Sequence, residues 1–201
     1  MLINAHRYTF KLNSGEVITW PKRTVIELFH RQPTLGLVRF HDMDLYHPSL
    51  SDQVLQRAAD SKRKIKGGPS QIDELHAWNT PEAELISTRA LKLCSDLMHS
   101  ERCRIVSAYA MIFGETDYLP PQKPEQATAS VVYVLEPGDA DPAGSNGRLC
   151  FTRPGTNQTV QAPERVTAGT FLAHPADMQL AALPYTGQHP RVLLIWHIVR
   201  E

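Results

Sequence analysis

Asp117-Tyr118-Leu119-Pro120-Pro121-Gln122 lies between two strand-like runs, residues 105–113 before it and residues 129–135 after it. Its Asp-Tyr turn and paired prolines give it the form of an approach loop between strands. The texture continues downstream. Residues 105–113, 129–135, 147–151, 159–162, 169–173 and 191–199 are short apolar or alternating segments separated by Pro, Gly and Asn turns. Strands at this density predict a sandwich or barrel, with the helices of the first half packed outside it. Residues 137–146, rich in Gly, Asp and Pro, form the most loop-like insert. No internal repeat or long linker interrupts the chain. It reads as one domain over residues 1–201, with a hairpin and helices in 1–104 and the β core in 105–201.

Upstream of that core, His6-Arg7-Tyr8-Thr9-Phe10-Lys11-Leu12 alternates, Asn13-Ser14-Gly15 supplies a turn, and Val17-Ile18-Thr19-Trp20 resumes a strand. Pro21 then predicts a short helix to about Arg31, with Val25, Leu28 and Phe29 on one face. Residues 35–40 read as a strand. His41-Asp42-Met43-Asp44 mixes imidazole and carboxylates, but without a third convergent group it reads as a polar strand exit rather than a metal cluster. Ser49 or Ser51 is expected to cap a helix running to about Arg63, with Val54, Leu55, Ala58 and Ala59 as its apolar side. Gly67-Gly68-Pro69-Ser70 breaks that helix and is not a phosphate loop, since no Gly-Lys-Ser/Thr follows. Thr80 before Pro81 marks a second start, with Glu82 and Glu84 suited to the positive helix end. Ile86, Ala90, Leu93 and Leu97 give it a core-facing stripe, and His99 sits at its negative end.

Charge excludes several functions. Lys plus Arg and Asp plus Glu are both 21 among 201 residues, so there is no global field to attract nucleic acid or anionic lipid. The one dense basic run, Lys62-Arg63-Lys64-Ile65-Lys66, suits a solvated helix end. Cys94, Cys103 and Cys150 are odd in number and lack Cys-x-x-Cys spacing, which argues against a disulfide framework and for a reducing cytoplasm. No stretch has signal-peptide form or 18 consecutive apolar residues, so neither secretion nor membrane insertion is expected. Gly-x-Ser-x-Gly, His-Glu-x-x-His and the P-loop are all missing.

Several segments, taken in order, carry a resemblance. Ser107-Ala108-Tyr109-Ala110 leads through Asp117-Tyr118-Leu119-Pro120-Pro121 to Ser130-Val131-Val132-Tyr133-Val134. Gly147-Arg148-Leu149-Cys150-Phe151 precedes Pro154, and Pro163 precedes Gly169-Thr170-Phe171-Leu172-Ala173-His174-Pro175. Pro184-Tyr185-Thr186-Gly187 then leads to Arg191-Val192-Leu193-Leu194-Ile195-Trp196-His197-Ile198. The series resembles a bacterial branch of the iron(II)/2-oxoglutarate-dependent oxygenases over about residues 107–199. That likeness implies an α+β, mostly β protein with a double-stranded β-helix core (jelly roll, cupin-like) and N-terminal helices outside it. It also implies Fe(II) and 2-oxoglutarate as the cofactors of an active member.

The departures fall on the chemistry. Gln122 and Pro124 stand where the branch's P-P-H-x-H-P motif has histidines, and Leu180 stands where its downstream iron-binding histidine would be. Arg153 replaces the aspartate of a D-P turn, and Leu193 replaces the serine that follows the oxoglutarate-binding arginine. That arginine is retained as Arg191. Leucine and proline side chains offer a metal no lone pair, and a neutral amide is a poor substitute for imidazole. No catalytic residue and no metal ligand is therefore assigned.

Period-two alternation puts Arg191, Leu193, Ile195 and His197 on one face of the last strand. Arg191, Gln122 and His197 are accordingly the expected ligand-contacting residues, with Arg191 suited to a small carboxylate. The expected function is a non-catalytic module for a small carboxylate or a protein partner, either a second copy or an active paralogue, without cofactor. The alternative is an active oxygenase or other metalloenzyme whose ligands have moved to His174 and Glu125, with Fe(II) and 2-oxoglutarate as cofactors.

Overall fold

A computed structural model describes residues 9–15, 17–19, 27–29, 35–40, 42–60, 68–100, 102–124, 126–139, 146–156, 159–162 and 166–201. Its elements in chain order are β1 (Thr9–Lys11), β2 (Val17–Thr19), β3 (Glu27–Phe29), β4 (Leu35–Arg39), α1 (His47–Asp60), β5 (Ser70–Ile72) and α2 (Pro81–Met98). The core follows as β6 (Cys103–Phe113), β7 (Leu119–Gln122), β8 (Ala129–Glu136), β9 (Leu149–Thr152), β10 (Thr159–Gln161), β11 (Thr170–Pro175), β12 (Gln179–Ala182) and β13 (Arg191–Arg200). A seven-stranded sheet, ordered β3-β4-β11-β8-β13-β6-β5, faces a four-stranded sheet ordered β10-β9-β12-β7. Strand pairing is antiparallel throughout. Two facing antiparallel sheets with helices on one outer side are the double-stranded β-helix expected from the sequence.

Alternation along the central strands divides the interior into two layers. Val132 and Val134 of β8, with Leu193 and Ile195 of β13, point between the sheets toward Phe151, Leu180 and Met178. Val131 and Tyr133 of β8, with Val192, Leu194 and Trp196 of β13, point the other way, toward the helices. Both faces of β8 and β13 are covered, so these strands are almost continuously apolar. Helix α2 presents Ile86, Ala90 and Leu93 to that outer layer. Its N-terminus is capped by Thr80, whose hydroxyl accepts from the Ala83 N–H at 3.4 Å. His99 closes the helix in the left-handed region, at φ 49°.

Fully buried Arg89 of α2 forks onto Asp42, with Nη1–Oδ1 at 2.8 Å and Nη2–Oδ2 at 2.6 Å. Its guanidinium also stacks over Phe40, 4.0 Å from the ring centroid. Asp42 is thus a structural anion, which gives the His41-Asp42-Met43-Asp44 stretch its role; His41 itself lies outside the described residues.

Four local expectations are corrected. Glu27–Phe29 is a strand paired with β4, where a helix from Pro21 is expected; the open edge of β4 supplies hydrogen bonds that a short marginal helix cannot match. Helix α1 begins at His47, ahead of Ser49 and Ser51, and the Ser51 hydroxyl donates to Glu136 Oε1 at 2.8 Å instead of capping. Its buried side is Leu50 and Val54, while Leu55 and Ala59 are exposed. Strands β5, β7 and β12 are absent from the sequence reading, being three or four residues each and, in β7, interrupted by Pro120 and Pro121. The basic run Lys62–Lys66 lies outside the described residues.

Candidate functional site

Six core strands direct side chains into one small cavity beside the C-terminal end of β7, with a volume of about 70 Å³. Register explains which residues meet there. His174 of β11 pairs with Ser130 of β8, and Ser130 pairs with His197 of β13, so the three stand abreast in the large sheet. Each shares the inward phase of its strand, set by Leu172, Val132 and Ile195 respectively. Tyr109 of β6 pairs with Ile195 and completes this wall. Leu119 and Gln122 of β7, Lys123, Pro124 and Leu180 of β12 form the opposite side.

His197 is held at both nitrogens. Nδ1 lies 2.8 Å from Ser130 Oγ and Nε2 lies 3.0 Å from Tyr109 Oη. Burial lowers its pKa to about 4 and pushes the Tyr109 phenol up, so at neutral pH the chain of three groups is uncharged. His174 differs. Its Nδ1 donates to the Pro175 carbonyl at 3.0 Å, its ring packs 5.0 Å from the Phe151 ring, and its Nε2 is buried with no hydrogen-bond partner among the described residues. Burial also holds its pKa at about 4. Because the carbonyl can only accept, the proton of the neutral ring sits on Nδ1 and Nε2 presents a bare lone pair.

The facing wall decides what metal chemistry fits. Gln122 and Leu180 are direct cross-strand partners and both line the cavity. They are two of the three positions at which the oxygenase resemblance calls for imidazoles, and Pro124, the third, is buried beside them. One amide, one leucine and one proline do not make an Fe(II) donor set. Among the described residues, no three His, Cys, Asp or Glu side chains stand together as a metal group. Glu125, the partner that a displaced site with His174 would need, lies outside the described residues.

Gln122 and His197 therefore come together, and His174 joins them. Arg191 does not. It lies six residues before His197 on β13, about 20 Å along a strand, with Leu193 and Ile195 between. There Arg191 is buried, its Nη1 donates to the Gly147 carbonyl, and its Nε has no partner among the described residues. Burial lowers its pKa to about 10. Gly147, at φ +63°, packs so closely that a Cβ would lie 2.9 Å from the Tyr185 ring and 3.0 Å from Arg191 Nη1; glycine is required at that turn. Arg153, which replaces the aspartate of the D-P turn, pairs with Asp177 at 3.0 Å. Ser130 and Tyr109 are absent from the sequence-derived site, although Ser130 is the only polar residue in the 129–135 run.

The architecture is the fold of the iron(II)/2-oxoglutarate-dependent oxygenases. It superposes on the non-heme alpha-ketoglutarate-dependent epimerase SnoN of nogalamycin biosynthesis with a TM-score of 0.67 and 11% identity, over 83% of this chain and 78% of that one. HygX from Streptomyces hygroscopicus, solved with nickel and 2-oxoglutarate bound, gives 0.64 and 10% over 83% and 82%. AviO1 from Streptomyces viridochromogenes Tue57 gives 0.60 and 13% over 82% and 89%. Identities this low establish the fold alone. No protein-family model and no curated protein matches the sequence. Among the described residues, no helix is long and apolar enough to cross a membrane.

Proposed function

We propose that this chain is a non-catalytic binding module built on the oxygenase fold, one that holds a small carboxylate at Arg191 without iron. The observation that carries this reading is the cross-strand pair Gln122–Leu180, an amide facing a leucine where two imidazoles would have to converge. Arg191 suggests the ligand: it is a buried guanidinium with no carboxylate paired to it among the described residues, and a bidentate carboxylate is its natural complement. The test is metal analysis and calorimetry on protein incubated anaerobically with Fe(II) and 2-oxoglutarate. Substoichiometric metal and no consumption of 2-oxoglutarate are expected; stoichiometric Fe(II) with turnover would refute the proposal.

A second reading draws on His174. Its Nδ1 is pinned by a carbonyl and its Nε2 is bare, which is how a metal-bound imidazole is held. A displaced metal centre would then use His174 with Glu125. His174→Ala should abolish any metal uptake under that reading and leave the metal content unchanged under the first.

A further inference from the structure

Three side chains of the large sheet hold one hydrogen more than their mutual bonds use. Ser130 Oγ lies 2.8 Å from His197 Nδ1, and His197 Nε2 lies 3.0 Å from Tyr109 Oη. Burial keeps His197 and Tyr109 uncharged at neutral pH. The chain then carries a hydroxyl hydrogen on Ser130, a ring hydrogen on His197 and a hydroxyl hydrogen on Tyr109. Its two links use two of them, and the third leaves the chain at one end. The tautomer of His197 decides which. With the ring hydrogen on Nδ1, Tyr109 donates to Nε2, His197 donates to Ser130, and the spare hydrogen belongs to Ser130. With it on Nε2, Ser130 donates to Nδ1, His197 donates to Tyr109, and the spare hydrogen belongs to Tyr109.

Two observations favour the second arrangement. Ser130 is 1% exposed, and no second partner for its hydroxyl stands among the described residues. A hydroxyl hydrogen stranded there disfavours the first tautomer by about tenfold. Tyr109 is only half-buried, and the exposed carboxylate of Asp73 acts at that end, pushing the phenol up further. Hydroxyl and ring dipoles turn their hydrogens toward a negative charge.

We propose that the chain runs one way, from Ser130 through His197 to Tyr109, and that the Tyr109 hydroxyl is the donor to an oxygen acceptor outside it. Ser130 and His197 are positioning residues behind that donor, and links that point the same way strengthen one another. The hydrogen sets the class of occupant: a carbonyl, ether or hydroxyl oxygen of a ligand, or a water oxygen where no ligand stands. A group that can only donate to Tyr109 reverses all three hydrogens and strands that of Ser130, which favours acceptors over such donors by about tenfold. Arg191 lies about 20 Å away along β13, so this donor is separate from the carboxylate site and independent of it.

Ring-nitrogen NMR of the full chain, labelled with 15N at histidine and held at neutral pH, reads the direction. The His197 ring is expected to carry its hydrogen on Nε2, with Nδ1 bare and far downfield. Ser130→Ala removes the donor to Nδ1, so that resonance should move further downfield while Nε2 keeps its hydrogen. A crystal structure of the parent should place an oxygen acceptor within about 3.2 Å of Tyr109 Oη. A ring hydrogen on Nδ1, a doubly protonated ring, or no oxygen at Tyr109 Oη would overturn the proposal. The parent's spectrum and structure decide the matter even if Ser130→Ala does not fold.

Discussion

If Gln122 and Leu180 occupy the places of missing imidazoles, installing histidine at both should create a metal site in one step. Their Cα atoms are direct partners in the β7–β12 pair, so the new Cβ atoms would stand about 4.5–5.5 Å apart on the cavity face. Two imidazoles at that separation can reach one Zn(II) at about 2.0–2.1 Å each, and His174 is a further residue lining the same cavity. Without metal, Gln122→His/Leu180→His should be less stable than the parent, because burial of a leucine side chain worth about 2 kcal/mol is lost. Zinc at a hundred times its dissociation constant returns about 2.7 kcal/mol. For a chain of this length that corresponds to a rise of about 5–11 °C. Thermal unfolding followed by circular dichroism, with zinc and with EDTA, reads the difference directly. The parent should show no zinc-dependent rise. A folded double variant indifferent to zinc would mean that the two side chains do not converge, and a parent that responds equally would mean that a metal site already exists.

Other perturbations test the supporting structure. Asp42→Ala leaves the fully buried Arg89 guanidinium without its anion and should cost about 3–5 kcal/mol in urea unfolding, far more than an exposed pair would. Arg191→Met removes a buried cation that lacks a carboxylate partner among the described residues. Ligand-free stability should therefore hold or rise by about 1 kcal/mol, while carboxylate binding is lost. His174 and His197 both titrate near 4 in the folded chain, below the ordinary histidine value of about 6.5. The unfolded chain therefore takes up protons first as pH falls. Stability is full above about pH 6.5 and is lost progressively down to about pH 4, by up to about 3 kcal/mol for His174. Urea midpoints across that window should fall for the parent and fall less for His174→Phe.

The core was legible where strands are long and buried on both faces. Residues 129–135 and 191–199 have almost no polar interruption, and they became β8 and β13, the centre of the large sheet. Helix α2 was equally clear, because Thr80, Pro81 and the stripe Ile86, Ala90, Leu93 all point to one element. The short strands were hidden for a physical reason. Three or four residues carry too little periodicity, and β7 is recognisable as a strand only through its partner β12. The candidate site was half legible. Alternation put His197 on the inward face, and motif position singled out Gln122 and Leu180, all of which line the cavity. Arg191 shares the inward face but not the cavity, because a face is a row of positions and the sequence does not say how far along the row a pocket extends. Ser130 and Tyr109 owe their roles to pairing across strands distant in sequence.

Leucine and proline lining the cavity also bear on stability, and that sharpens the meaning of the polar groups beside them. Imidazoles turned into a barrel without a metal would be buried acceptors in need of partners, each costing roughly 1–3 kcal/mol if left bare. Leu180 and Pro124 avoid that cost and extend the apolar layer between the sheets to the cavity wall. If packing alone shaped this end of the barrel, His174 would be an obvious place for an apolar ring as well, since it already stacks against Phe151. Instead it keeps a buried nitrogen with no partner among the described residues. Packing accounts for Leu180 and Pro124, and the Tyr109–His197–Ser130 chain accounts for itself by mutual hydrogen bonds. His174 Nε2 is accounted for by neither packing nor a hydrogen bond among the described residues.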